Sequence, residues 1–285
     1  MARRPATAFL YEFLRFGIKQ AWACVFGGIM VGLLLSTHWF WPGNAWLARY
    51  DFLFLAALAT QILMLRFGLE TWEEAKVILI YHVIGTIMEV FKTGAGSWTY
   101  PEHSLFHVAG VPLFSGFMYA SIGSYIARCW RLFDFRFTHH PPLAVLVVLS
   151  VAIYANFFTH HYLPDARWLL FAGIGAVLWR TRIHYRVWRR VRWMPLTVGL
   201  LLVTLFIWFA ENIGTVSATW LYPHQFGAWS AVRAGKFGSW FLLLLISYTL
   251  VALVSRPREF VPDRGRNEGR KGRASSCLNR SPFQS

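Results

Sequence analysis

Glu89-Val-Phe-Lys-Thr-Gly-Ala-Gly-Ser-Trp-Thr-Tyr-Pro101 returns 122 positions later as Glu211-Asn-Ile-Gly-Thr-Val-Ser-Ala-Thr-Trp-Leu-Tyr-Pro223. Glu, Thr, Trp, Tyr and Pro stand at the same offsets in both stretches. The same register carries an upstream echo, in which Thr37, His38, Pro42 and Trp46 recur as Thr159, His160, Pro164 and Trp168. These residue types are uncommon in an apolar chain, and chance does not readily place them in one register. The chain reads as a duplicated unit whose halves kept the same polar and aromatic residues, which points to a two-fold site.

The rest of the sequence says where such a site would sit. Of the 285 residues, 56% are hydrophobic and 14% charged, against about 25% charged in a soluble domain. Apolar runs approach the length of a bilayer span, about 17–25 residues, and lack the alternation of an outer-membrane barrel. The expected fold is all-α, a polytopic membrane helix bundle of about eight spans. They fall roughly at 20–41, 51–68, 75–93, 112–133, 143–162, 166–181, 194–213 and 236–254, the sixth being short. Eight spans divide as four plus four. An even number per unit gives both copies the same orientation, so the internal repeat is parallel rather than inverted.

The formal charge of +15 suits nucleic acid or a membrane surface, and its distribution separates the two. With both termini cytoplasmic, all but five of the 28 lysines and arginines fall in cytoplasmic segments; the exceptions are Arg49, Lys92, Arg167, Arg233 and Lys236. This is the positive-inside bias that orients helices, and anionic lipid accounts for the basic charge better than nucleic acid does. The expected location is the inner (cytoplasmic) membrane, with membrane lipid as a partner. Residues 1–19 read as an interfacial N-terminal helix, with Phe9, Leu10, Phe13, Leu14 and Ile18 on one face. Residues 20–133 and 134–254 are the two repeats. Residues 255–285, rich in Arg, Gly, Ser and Pro, read as a disordered basic tail. Cys24, Cys129 and Cys277 all fall outside the outer loops, so no structural disulfide is expected.

In this topology both His-x3-Pro-x3-Trp segments and both Glu-x8-Trp-x-Tyr-Pro segments converge on the outer side. Glu89 and Glu211 lie in apolar helices, where a carboxylate costs on the order of 2.5–3.5 kcal/mol. Each must face the bundle interior, find a partner or stay protonated; the last suits a general acid. Lys92, three residues after Glu89, is placed to pair with it on one face. Gly214 stands at the matching position, so the copies are not equivalent. Trp98 and Tyr100, like Trp220 and Tyr222, are two apart and share one side of an extended segment.

Each residue also has a plainer reading. The aromatics fit an interfacial belt, the glutamates a polar knot between helices, and His38 and His160 simple hydrogen-bonding groups. His103-x3-His107 lies in a loop and makes a weak metal signal; no metal or cofactor is expected. The site reading takes Glu89 and Glu211 as catalytic and Trp98, Tyr100, Trp220, Tyr222, His38 and His160 as binding residues for an apolar ligand.

The two glutamate segments, together with Gly110-Val-Pro112, resemble the YoaT-like family of bacterial integral membrane proteins. That resemblance covers nearly all of the chain except the tail and implies a multi-pass membrane protein without an assigned activity. A fainter likeness, confined to Glu89–Pro112, is to membrane-embedded carotenoid hydratases and small lycopene cyclases. It implies a proton donor acting on an isoprenoid-like lipid. Three functions therefore stand side by side: such an enzyme, a proton-coupled transporter, and a non-enzymatic membrane assembly protein.

Overall fold

The computed structural model describes residues 5–261. Its helices are α1 (Pro5–Ala23), α2 (Val25–Phe40), α3 (Arg49–Arg66), α4 (Trp72–Gly94), α5 (Phe114–Leu132), α6 (Leu143–Thr159), α7 (Arg167–Leu178), α8 (Leu196–Val216) and α9 (Gly235–Ser255). The protein is mostly helical, and each expected span overlaps one of α2 to α9. Among the described residues, α4, α8 and α9 are long and apolar enough to cross a membrane. The α1–α2 pair, bent by 68°, makes a fourth if it forms one span. Helix α7 has 12 residues, or about 18 Å at 1.5 Å per residue, well short of a hydrocarbon core of about 30 Å.

Helix α4 shows how sequence sets an element and its face. Thr71 and Glu74 form a reciprocal capping box, with N–H to side-chain distances of 3.2 and 2.8 Å. Glu73 and Glu74 in the first turn complement the helix dipole. Val77, Ile78, Tyr81, Gly85, Met88, Glu89 and Lys92 share the buried face. Leu79, Ile80, Val83 and Ile87 are exposed, as are Leu201, Leu202, Leu205, Phe206 and Phe209 of α8. Exposed apolar bands of this extent are what lipid would cover.

Glycine governs the closest helix approach. A Cβ on Gly85 would lie 2.7 Å from the Tyr119 ring, and one on Gly116 would lie 2.5 Å from Thr86 Oγ1. Their absence lets α4 and α5 touch, which brings Tyr119 over the α4 face that carries Glu89. Helix α9 runs through the centre against α4, α5, α6 and α8, with Leu242 to Tyr248 buried along it.

Strands correct the all-helical expectation. β1 (His107–Val108) and β2 (Val111–Pro112) form a hairpin leading into α5. Ala109 and Gly110, at φ 50° and 80°, supply the two left-handed residues that a tight hairpin turn requires. β3 (Arg136–Thr138), β4 (Arg182–Arg186) and β5 (Val191–Pro195) make an antiparallel sheet, pairing Phe137 with Ile183 and Ile183 with Met194. Ile183, Tyr185 and Val187 alternate with polar residues, a period-two signal that the surrounding arginines obscured. Residues 256–261, the start of the expected tail, lie against β3. Phe137 N–H donates to Arg258 O at 2.9 Å, Phe260 N–H donates to Phe137 O at 2.8 Å, and the Phe260 ring stacks on His184 at 3.9 Å. The rest of the expected tail, Cys277 included, lies outside the described residues.

Candidate functional site

Helices α4 and α8 end at Gly94 and Val216, and their caps match bond for bond. Gly96 N–H donates to Thr93 O at 3.0 Å and Ser97 N–H to Lys92 O at 2.9 Å. Ala218 N–H donates to Thr215 O at 3.1 Å and Thr219 N–H to Gly214 O at 3.0 Å. Gly96 (φ 70°) and Ala218 (φ 50°) take the left-handed conformation that closes such a cap. The cap reverses the chain onto its own helix, which is why a Trp nine residues after the Glu can reach it. Trp98 Nε1–H and Tyr100 O–H both donate to Glu89 Oε2 at 2.7 Å. Trp220 Nε1–H donates to Glu211 Oε1 at 3.2 Å, and Tyr222 O–H donates to that same oxygen.

The two returning segments meet. Thr99 and Leu221 exchange both backbone hydrogen bonds, each 2.9 Å, and the Trp98 and Tyr222 rings pack edge to face at 5.9 Å. Trp98, Trp220 and Tyr222 are at most 7% exposed, whereas Trp46 and Trp168 of the upstream echo are 94% and 81% exposed. Burial, together with the adjacent carboxylates, lifts the Tyr100 and Tyr222 hydroxyls well above their usual pKa, so both remain hydrogen-bond donors.

The surroundings of the two carboxyl groups differ. Tyr119 O–H adds a third donor to Glu89, on Oε1 at 2.7 Å; Phe241 stands at the matching position and has none to give, and the neighbouring Trp240 bears on Glu211 instead. Lys92 does not pair with Glu89, contrary to expectation. Both Glu89 oxygens are already taken, and the Lys92 amine turns to His160 Nε2 at 3.2 Å and His161 Nε2 at 2.8 Å, over the Phe157 ring at 4.4 Å. Gly214 leaves room for the Trp220 ring; a Cβ there would lie 1.9 Å from it. Lys236, at the start of α9, sits 4.5 Å from the centres of both the Trp98 and Tyr222 rings.

These groups surround one cavity of about 320 Å³. Of the residues expected at the site, Glu89, Glu211, Trp98, Tyr100, Trp220, Tyr222 and His160 line it. His38 does not; it is exposed at the end of α2. Tyr119, Trp240, Arg167, Arg233 and Lys236 also line it and were not singled out from sequence. Three of them were legible as cations on the side where cations are scarce. Ile153, Leu242 and Leu243 give the cavity its apolar wall.

Residues 12–248 match the family described as "Protein of unknown function (DUF817)". The chain is 41% identical over 251 residues to the "Uncharacterized protein YoaT" of Bacillus subtilis (strain 168), covering 88% of this chain and 94% of the relative. Among solved structures, a chain from a crystal structure of a cross-linked MvINS trimer superposes with a TM-score of 0.49 at 14% identity, covering 66% of this chain and 98% of that one.

Proposed function

The chain belongs to the DUF817 family, and from that premise we propose that it is a multi-pass protein of the cytoplasmic membrane whose cavity binds an apolar, isoprenoid-like molecule and protonates it. In this reading α2 to α9 occupy the eight expected spans, the short α7 reaching only part of the way across, both termini face the cytoplasm, and the cavity opens on the outer side. The exposed apolar stripe of α1, from Phe9 to Ile18, rests in the membrane interface.

The duplication is supported by the Thr99–Leu221 pair. Two residues 122 apart exchange reciprocal bonds, as expected where a local two-fold axis brings a residue against its own counterpart. The observation that carries the functional reading is the convergence of Glu89 and Glu211, each with its Trp and Tyr donors, on one cavity with an apolar wall.

The two carboxyl groups then divide the work. Glu89, filled by three donors, holds the loop geometry. Glu211 receives its Trp220 and Tyr222 bonds on a single oxygen, with Trp240 a weaker third neighbour, and in this reading its other oxygen carries the proton. Transfer to a ligand double bond forms a C–H bond, consumes the π pair, and leaves a carbocation and the Glu211 carboxylate. Water then adds to the cation and gives up a proton to the Glu211 carboxylate, or a carbon next to the cation returns a proton to it and a new double bond forms. Either route restores the acid. The Trp98, Trp220, Tyr100 and Tyr222 rings that line the cavity are suited to stabilise such a cation.

The test compares lipid extracts of an expressing host carrying the wild type, Glu211→Gln or Glu89→Gln. A product that appears with the wild type and vanishes with Glu211→Gln supports the reading. Identical lipid profiles for wild type and Glu211→Gln sink the enzymatic part. Native mass spectrometry of the mildly solubilised protein then reports whether an apolar molecule is retained at all.

A further inference from the structure

The cavity mouth is charged in a way that an apolar ligand does not explain. Of the five cations that the sequence reading places on the outer side, four line this one cavity: Lys92, Arg167, Arg233 and Lys236. Two carboxyl groups face them. Arg167 is partly engaged by Asp165 at 3.2 Å. Among the described residues, Lys92, Arg233 and Lys236 take part in no ion pair within 4 Å. Glu89, Glu211 and Asp165 together balance at most three of the four cations, fewer when Glu211 holds its proton, so positive charge is left over at the site.

Two independent features point to the same spot. A second hollow of about 240 Å³ adjoins the first and shares Ser97, Tyr222, Arg233 and Lys236 with it. His224 also lines it, and its buried Nε2 has no partner. The N-terminus of α9 opens here as well: Gly235 lines the cavity, and no side chain caps the helix. Its Lys236 and Phe237 N–H groups already donate to Arg233 O and Ala234 O at 2.9 and 3.0 Å, so the helix favours an anion through its dipole.

We propose that the ligand carries a phosphate-type anionic head, held where Lys236 and Arg233 meet the start of α9, with its apolar chain along Ile153, Leu242 and Leu243. The proposal rests on the reading of the cavity as a lipid site and names the class: an amphipathic oxyanion rather than a neutral hydrocarbon. Lys236 joins the two ends of the site, because its amine lies over the Trp98 and Tyr222 rings and the residue lines both hollows.

Binding to the full chain in lipid nanodiscs tests this, with farnesyl monophosphate, farnesol and inorganic phosphate as probes. Farnesyl monophosphate is expected to bind at least about tenfold more tightly than farnesol, as suits charge-assisted bonds to a head group. Lys236→Gln should remove that advantage and leave farnesol affinity within about twofold. Arg233→Gln, at an exposed position, should reduce it in the same direction and carries the test if Lys236→Gln fails to fold. Inorganic phosphate that competes at concentrations similar to the lipid phosphate would keep the anion site but assign it to a soluble oxyanion. Equal affinity for farnesol and farnesyl monophosphate in the wild type overturns the anionic head while the lipid site survives. Phosphate binding without binding of either chain probe overturns the lipid site alone. No binding of any probe overturns both.

Discussion

The loop after α4 and the loop after α8 solve one problem with different margins. Each closes its helix with the same pair of backbone bonds and returns a Trp and a Tyr to a buried Glu. Around Glu89 the third donor of Tyr119, the fully buried Phe114 and the left-handed Gly96 leave little unfilled. Around Glu211 the position matching Phe114 is Lys236, the position matching Tyr119 is Phe241, and a less suitable Ala218 occupies the left-handed position. One copy is packed as an anchor, while the other keeps a cation and a less encumbered carboxyl beside the cavity. On the proposed reading, one glutamate motif holds geometry and the other carries the chemistry.

The sharpest way to break this comparison is at Gly214. Its Cβ would penetrate the Trp220 ring, so Gly214→Ala should cost about 3 kcal/mol of stability through overpacking, read as a lowered unfolding temperature in nanodiscs. An unchanged transition would mean that Trp220 is free to leave Glu211, and the cap would lose its role. Next in size, Glu89→Gln should cost about 2–3 kcal/mol, since an amide N–H₂ must face donors that a carboxylate accepts. Glu211→Gln should cost about 1 kcal/mol, because its Trp220 and Tyr222 donors share one oxygen that the amide carbonyl can replace. Equal losses at the two positions would erase the division into anchor and working group.

Smaller effects refine the contrast. Tyr119→Phe removes one donor to Glu89 and should cost about 1.5 kcal/mol; denaturant titration gives the value, and no loss would show that two donors suffice. At the cap, Gly96→Ala should destabilise by about 1 kcal/mol, because it puts a Cβ in the left-handed region. Ala218→Gly should stabilise by up to about 1 kcal/mol for the converse reason. If both substitutions shift stability the same way, the caps are not equivalent despite matching bonds.

Much of this was legible before folding. Glu89, Glu211 and their Trp and Tyr partners were readable because they lie within one helix end and one returning loop, where spacing alone limits what can meet. His160 and His38 were indistinguishable in sequence, yet one lines the cavity and the other is exposed. What separates them is Lys92, whose amine found both Glu89 oxygens occupied and turned to His160 and His161 across 68 and 69 positions. The sheet of β3, β4 and β5 escaped because runs of arginine masked its alternation.

By itself the sequence determined the apolar helices, the repeated glutamate motif and the chain's family, since each rests on local composition or on one fixed register. Only the tertiary structure decided that the two motifs share a single cavity, that Lys236 and Arg233 guard its mouth, and that the copies are unequal. Those outcomes depend on how closely helices approach. That is set by missing side chains at Gly85, Gly116 and Gly214 and by contacts more than a hundred residues apart, which no local pattern encodes.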